Sequence, residues 1–118
     1  MRIKYFLPVI CLFSLIQVSV ANAQLKTGAW RGTLRSKSGS LLPFNFDVKN
    51  IGGKQELFIH NGAERFKVTN IQRNGDSVFI HMPLFNSEFK LKFEGQDLKG
   101  NWIKHYGDHD MLMAFTAT

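Results

Sequence analysis

The sequence predicts an all-β domain of about eight short antiparallel strands, arranged as an up-and-down barrel or a closely related sandwich. Apolar side chains recur at every second residue over most of the chain, which is typical of strands with one buried face. Turn signals separate these runs at intervals of roughly ten residues, as in barrels and sandwiches. No segment after residue 24 has sustained three-to-four spacing, so we predict no helix there.

The clearest alternation lies between residues 74 and 94, where two runs flank a turn that contains Pro83. The apolar side of the two runs comprises Val78, Ile80, Met82, Phe89, Leu91 and Phe93. Two alternating runs across a short turn predict a β-hairpin.

The remaining strands follow the same pattern in chain order. We predict them at residues 28–34, 44–49, 56–60, 64–72, 98–102 and 111–116. Asn61-Gly62 predicts a tight hairpin turn, because both central residues of a type I′ turn need positive φ. Within the fourth strand the alternation shifts by one residue at Asn70-Ile71, which predicts a β-bulge.

Two glycines lie inside strands, each two residues from a tryptophan. Gly32 follows Trp30, and Gly100 precedes Trp102. A glycine inside a strand costs stability unless another group packs closely against it. We therefore expect an indole to lie over each glycine and to fill one end of the barrel, with simple strand bends as the alternative.

Residues 1–23 have the organisation of a secretory signal peptide. Arg2 and Lys4 give a positive start, residues 5–20 are almost wholly apolar, and Ala21-Asn22-Ala23 is a small-x-small cleavage site. We expect cleavage after Ala23, a periplasmic or secreted location and no stable membrane anchor. Residues 24–118 then form a single barrel domain.

The composition of residues 24–118 excludes several functions. These 95 residues contain no cysteine, so they support neither a disulfide nor thiol chemistry. They hold 13 of the 15 Lys and Arg and all 9 acidic residues, which gives a net charge of +4. The basic residues alternate singly with apolar ones, a pattern typical of solvated strand faces, so no nucleic-acid partner is expected.

Candidate metal ligands are confined to His105 and His109, which are weak candidates beside Asp108 and Asp110. A Gly-Asp-His loop more commonly uses such side chains to bond the turn backbone. We therefore expect no metal and no cofactor. No nucleophile motif and no pair of carboxylates at catalytic spacing is identifiable, so the sequence leans against an enzyme.

Candidate contact residues are apolar side chains near the ends of the predicted barrel. Leu84 and Phe85 follow Pro83 in a turn where polar residues are expected, so they either dock a partner or fold back as a lid. Trp30 and Trp102 are the candidate contact residues within the barrel. These four residues define the expected ligand or partner surface.

Several motifs, in order and spacing, resemble a known bacterial domain. They are Gly28-x-Trp30-x-Gly32-x-Leu34, Leu42-Pro43-Phe44-x-Phe46, Asn61-Gly62-x-Glu64-Arg65, Gly75-Asp76-Ser77-Val78 with Met82-Pro83, and Leu98-x-Gly100-x-Trp102. Together they resemble the N-terminal, lipocalin-like β domain that precedes the thioredoxin domain in some TlpA/ResA-like thiol-disulfide oxidoreductases. The similarity covers nearly all of residues 27–116.

The resemblance implies an exported, non-catalytic accessory domain. In that family the redox Cys-x-x-Cys belongs to the thioredoxin domain, and residues 24–118 have no cysteine, so no catalytic residue carries over. The implied partner is a thioredoxin-like domain or its protein substrate, whether this chain is a fragment of a longer redox protein or acts alone. The alternative function is a stand-alone lipocalin-like carrier of a small apolar molecule.

Overall fold

The computed structural model describes residues 24–118, and the expected signal peptide lies outside them. These residues form nine β-strands and no helix. They therefore contain no helix long and apolar enough to cross a membrane. The strands are β1 (Gly28–Arg35), β2 (Leu41–Ile51), β3 (Lys54–Asn61), β4 (Glu64–Val68), β5 (Asn70–Asn74), β6 (Ser77–His81), β7 (Ser87–Glu94), β8 (Asp97–His105) and β9 (Asp110–Ala117).

All nine strands belong to one antiparallel sheet that curls into a nearly closed barrel. The order of neighbours is β4-β3-β2-β1-β9-β8-β7-β6-β5. The first and last strands pair with each other, with Gly32 opposite Ala117 and Arg35 opposite Ala114. All other pairs are between strands that follow one another in the sequence. The predicted all-β class with up-and-down connections is therefore confirmed.

The barrel is completed by a single stretch of chain that changes its partner. Alternating directions around the sheet make β4 and β5 run the same way, with only Thr69 between them. Residues 64–68 pair with β3, whereas residues 70–74 pair with β6. The predicted fourth strand thus spans both segments, which explains why eight predicted strands correspond to nine observed ones. The break falls at Thr69, next to the predicted bulge.

The interior of the barrel is filled by aliphatic and phenylalanine side chains. The buried cluster consists of Leu25, Trp30, Phe46, Val48, Leu57, Val68, Val78, Ile80, Phe89, Leu91, Leu98, Phe115 and Ala117. Phe115 packs edge-on against Phe89, with ring centroids 4.8 Å apart. The apolar cavity that remains among these residues has a volume of about 20 Å³, which is little more than one water molecule needs.

The segment before β1 closes one end of the barrel. Leu25 is 2% exposed and lines the interior cavity. The buried Gln55 side chain holds its backbone: Leu25 N donates to Oε1 at 3.1 Å, and Nε2 donates to Leu25 O at 2.7 Å. Arg73 of β5 donates to the same Oε1 at 3.0 Å. The Gln55 side chain therefore links the N-terminal segment, β3 and β5 by hydrogen bonds, at a place where β3 and β5 do not pair through their backbones.

The tryptophans do not cover the glycines, so the predicted arrangement is wrong. A Cβ on Gly32 would lie 2.9 Å from ring atoms of Phe44 and Phe115, and one on Gly100 would collide with the Lys90 carbonyl oxygen of β7. Trp30 instead stacks on Phe46 with ring centroids 5.9 Å apart. Close packing does explain both glycines, but phenylalanine rings and backbone supply it.

Replacing Gly100 with Ala tests this close approach. Because the obstructing atoms are backbone, β7 must move, and we expect Gly100→Ala to lower the free energy of unfolding by roughly 2 kcal/mol. Gly32→Ala is the matched control and should cost less, since the ends of two side chains obstruct its Cβ. Urea titrations monitored by tryptophan fluorescence measure both. A neutral Gly100→Ala variant would contradict the observed strand spacing.

Candidate functional site

Two neighbouring connections at one end of the barrel bring together most of the side chains that are suited to binding or catalysis. They are the β6–β7 turn at residues 82–86 and the β8–β9 loop at residues 106–109. His105 N donates to Asn86 O at 2.9 Å and joins the two connections. Within the loop, Tyr106 N donates to His109 O at 2.9 Å, which holds the hairpin closed.

The outer edge of this end carries what we term the aromatic rim, defined as Leu84, Phe85, Lys104, Tyr106 and His109. Lys104 Nζ lies 5.6 Å from the Phe85 ring centroid and 4.8 Å from that of Tyr106. The Tyr106 and His109 rings stack with centroids 5.0 Å apart. Phe85 is 67% exposed, so its ring faces solvent and does not form the alternative lid.

The backbone holds Phe85 in an unfavourable conformation. Phe85 and Asn86 have φ values of 65° and 41°, the two positive values among non-glycine residues 24–118. Asparagine tolerates this left-handed region, whereas a bulky side chain there costs about 1–2 kcal/mol. A strained, exposed phenylalanine at a loop tip is the kind of outlier that points to function.

Beside the rim lies a histidine–carboxylate cluster, defined as His81, Glu88, His105 and Asp110. His105 Nδ1 lies 2.7 Å from Asp110 Oδ1, and its Nε2 lies 3.3 Å from Glu88 Oε1. His81 Nε2 lies 3.6 Å from the other oxygen of Glu88. The Glu88 side chain is only 14% exposed, so one largely buried carboxylate serves two imidazoles.

The carboxylates of the cluster favour the protonated form of His105. The hydrogen bond to Asp110 raises the pKa of His105 above its usual value, and a bond to Glu88 adds to this effect. Partial burial of the imidazole acts in the opposite direction. Lys90 Nζ lies 3.7 Å from Glu88 Oε1 and supplies a further positive charge. Protonation of His105 therefore strengthens its interactions with Asp110 and Glu88.

The structure separates the two weak metal candidates. His105 bonds Asp110, whereas His109 Nδ1 lies 2.7 Å from Asp108 Oδ1. Within residues 24–118, no three or more His, Cys, Asp or Glu side chains are arranged to hold a metal ion.

The four predicted contact residues divide between the rim and the interior. Leu84 and Phe85 lie on the rim, and Leu84 is 47% exposed. Trp30 is 2% exposed and donates from Nε1 to Lys26 O at 2.7 Å, so contact with a partner would require the barrel to open. Trp102 is half-buried between Phe89 and Met113 in the register of the sheet.

Sequence reasoning missed Glu88 and the link between the turn and the loop. His81 and Glu88 are directly opposite each other across the β6–β7 pair, as are His105 and Asp110 across β8–β9. Both pairings follow from the hairpin registers, so counting residues outward from each turn provides the missing signal. Tyr106 and Lys104 join Phe85 only through the β7–β8 pairing.

Comparison with known proteins gives no match for this chain. No protein-family model matches it, and the searches of curated proteins and of solved structures found no match. The resemblance to TlpA/ResA-like proteins therefore rests on the sequence motifs alone.

Replacing Phe85 with glycine should stabilise the fold. Glycine adopts positive φ without a steric penalty, and the largely exposed ring contributes little burial, so we expect a gain of roughly 0.5–1 kcal/mol. The matched control is Leu84→Gly in the same turn, which relieves no positive φ and should be neutral or destabilising. Chemical denaturation compares the two variants. A destabilised Phe85→Gly variant would show that the ring supports the turn.

Replacing His105 with glutamine should have an effect that depends on pH. Because the folded-state pKa is raised, its ion pairs contribute stability below the unfolded value of about 6.5, and this contribution is lost as pH rises through the folded pKa. We expect His105→Gln to destabilise the protein more at about pH 5.5 than at about pH 8.5.

His109→Gln is the control for this measurement, since His109 and Asp108 are both largely exposed and such surface pairs contribute little. Urea titrations of the wild type and both variants at each pH give the comparison. Equal pH dependence of the two variants would contradict a special role for the cluster.

Proposed function

We propose that the chain is an exported, non-catalytic β-barrel interaction module that contacts a partner protein through the aromatic rim. The observation that carries the proposal is Phe85, which is held at positive φ with its ring in solvent. The strained backbone of such a residue lowers the stability of the isolated domain. Packing of its ring against another molecule would offset this cost. Tyr106 and Leu84 beside it extend the apolar surface, and aromatic residues are enriched at the centres of interfaces.

The interior of the barrel supports an interaction module more than a carrier. Every residue that lines the 20 Å³ cavity is apolar, and its walls include Phe44, Phe89 and Phe115. A ligand larger than a water molecule would have to displace these side chains, which costs packing free energy. The rim, by contrast, is accessible without rearrangement.

The chemistry of the expected partner follows from the resemblance stated above. We propose a thioredoxin-like domain, or the protein substrate of one, outside the cytoplasm. In this proposal the barrel supplies a rigid platform, and any thiol chemistry belongs to the partner, because residues 24–118 contain no cysteine. Lys104 between two exposed rings adds a positive charge, which favours a partner surface that contains a carboxylate.

Site-specific photocrosslinking tests this function. A photoreactive phenylalanine analogue is incorporated at position 85 of the protein in the cells that produce it, and the cells are irradiated. The crosslinked product is then isolated and identified by mass spectrometry. We expect an adduct between a partner with a thioredoxin fold and this chain beginning at Gln24, recovered outside the cytoplasm. The analogue at Ile51, which is similarly exposed at the opposite end of the barrel, is the control and should give no such adduct.

Two results would contradict the proposal. The absence of any adduct at position 85 would remove the rim as an interaction surface. Identical adducts from positions 85 and 51 would indicate non-specific proximity. An adduct with a partner of a different fold would keep the interaction module but refute the partner class.

A further inference from the structure

The outer face of the barrel around β9 carries a cationic cluster that the sequence does not reveal. The cluster, termed the cationic face, consists of Arg35 on β1, Lys99 on β8, and Lys90 and Lys92 on β7. Two adjacent rows across the sheet hold these residues: Arg35–Ala114–Asn101–Lys90 and Thr33–Thr116–Lys99–Lys92. Neither row contains a carboxylate, so the two rows together carry four positive charges and no negative one.

The charges of the cationic face are poorly compensated within the chain. Arg35, Lys92 and Lys99 make no ion pair within residues 24–118, and Lys90 reaches only Glu88, which also serves the two histidines. Lys92 lies directly opposite Lys99, an arrangement of like charges that destabilises a sheet. The nearest row toward the β7–β8 turn has Glu94 opposite Asp97, and neither carboxylate forms an ion pair with another residue in the described range 24–118.

The centre of the cationic face is a trough suited to a phosphate group. Its floor is formed by the short side chains of Ala114 and Thr116 on β9, with Thr33 beside them. Arg35 and Lys99 form opposite walls, and the trough has a volume of about 360 Å³. Threonine hydroxyls and an arginine fork are the donors that proteins use to bind phosphate oxygens. Two cations and two hydroxyls therefore line the trough and match the chemistry of a phosphate group.

An apolar border distinguishes a membrane surface from a soluble polyanion as the occupant. Leu41 lines the trough and is 54% exposed, and Leu112, two residues from Ala114 on β9, is 47% exposed. A lipid bilayer offers phosphates and an apolar boundary together, whereas a soluble polyanion leaves these leucines unpartnered. The two rows also present no exposed aromatic ring on which a nucleobase would stack.

We propose that the cationic face docks reversibly on an anionic lipid bilayer, with a headgroup phosphate in the trough and the leucine border at the level of the headgroups. This surface is separate from the aromatic rim, so docking does not depend on the proposed partner contact. Four basic side chains near an anionic surface are sufficient for reversible binding that weakens with salt.

Vesicle flotation of residues 24–118 tests the proposal. The protein should bind vesicles that contain phosphatidylglycerol but not vesicles of phosphatidylcholine alone, and added salt should release it. The triple variant Arg35→Gln, Lys92→Gln, Lys99→Gln should lose at least about tenfold in affinity. The control triple Lys49→Gln, Lys54→Gln, Lys67→Gln removes the same charge from β2, β3 and β4 and should bind nearly as well as the wild type.

Further arms separate the trough and its border from general electrostatics. Lys92→Arg with Lys99→Arg should retain binding, and Leu41→Ser should weaken it, while circular dichroism confirms that every variant is folded. Inorganic phosphate should compete poorly with a whole bilayer.

Equal losses in the two triple variants would overturn the proposal, since net charge alone would then explain binding. Binding of inorganic polyphosphate or single-stranded DNA without binding of anionic vesicles would also overturn it, in favour of a soluble polyanion.

Discussion

The structure depends on a change of backbone partner at Thr69. A sheet closes into a barrel only if its two edge strands meet. Here the edge strands are β4 and β5, which are consecutive segments of the chain. Residues 64–68 bond β3 and residues 70–74 bond β6, so the chain itself spans the seam. Val68 and Ile71 both contribute to the core, on either side of Thr69. Because they are three residues apart, the inward-outward alternation of side chains must shift by one residue between them. Gln55 then supplies side-chain hydrogen bonds where β3 and β5 separate.

This closure determines where function is expected. The small circumference leaves no room for a ligand among large aromatic side chains, and even the backbone approaches so closely that Gly100 has no space for a Cβ. A filled barrel has only its ends and outer face available for binding. The aromatic rim occupies one end, and the cationic face covers the outside of β7, β8, β9 and β1. The two surfaces differ in chemistry, since one presents rings and the other presents charge.

Register is the second constraint, because it converts dispersed residues into clusters. Lys92 and Lys99 are separated by a turn in the sequence but are directly opposite in the sheet, and the β1–β9 pairing adds Arg35 from the far end of the chain. In the same way Glu88 receives His81 from one neighbouring strand and His105 from the other. Alternation alone describes each of these residues as an isolated surface position.

By itself, the sequence determined the class of fold, the approximate position of the strands and the irregularity in the predicted fourth strand. These features follow from local signals, namely apolar side chains at every second residue and the residue types of tight turns. It also identified Leu84 and Phe85 as unusual for a turn. Only the tertiary structure decided that phenylalanines and backbone cover the glycines, that Trp30 stacks on Phe46, and that the lysines form one face. These features depend on which strands become neighbours around the barrel, and the pairing of β1 with β9 joins residues that no local pattern connects.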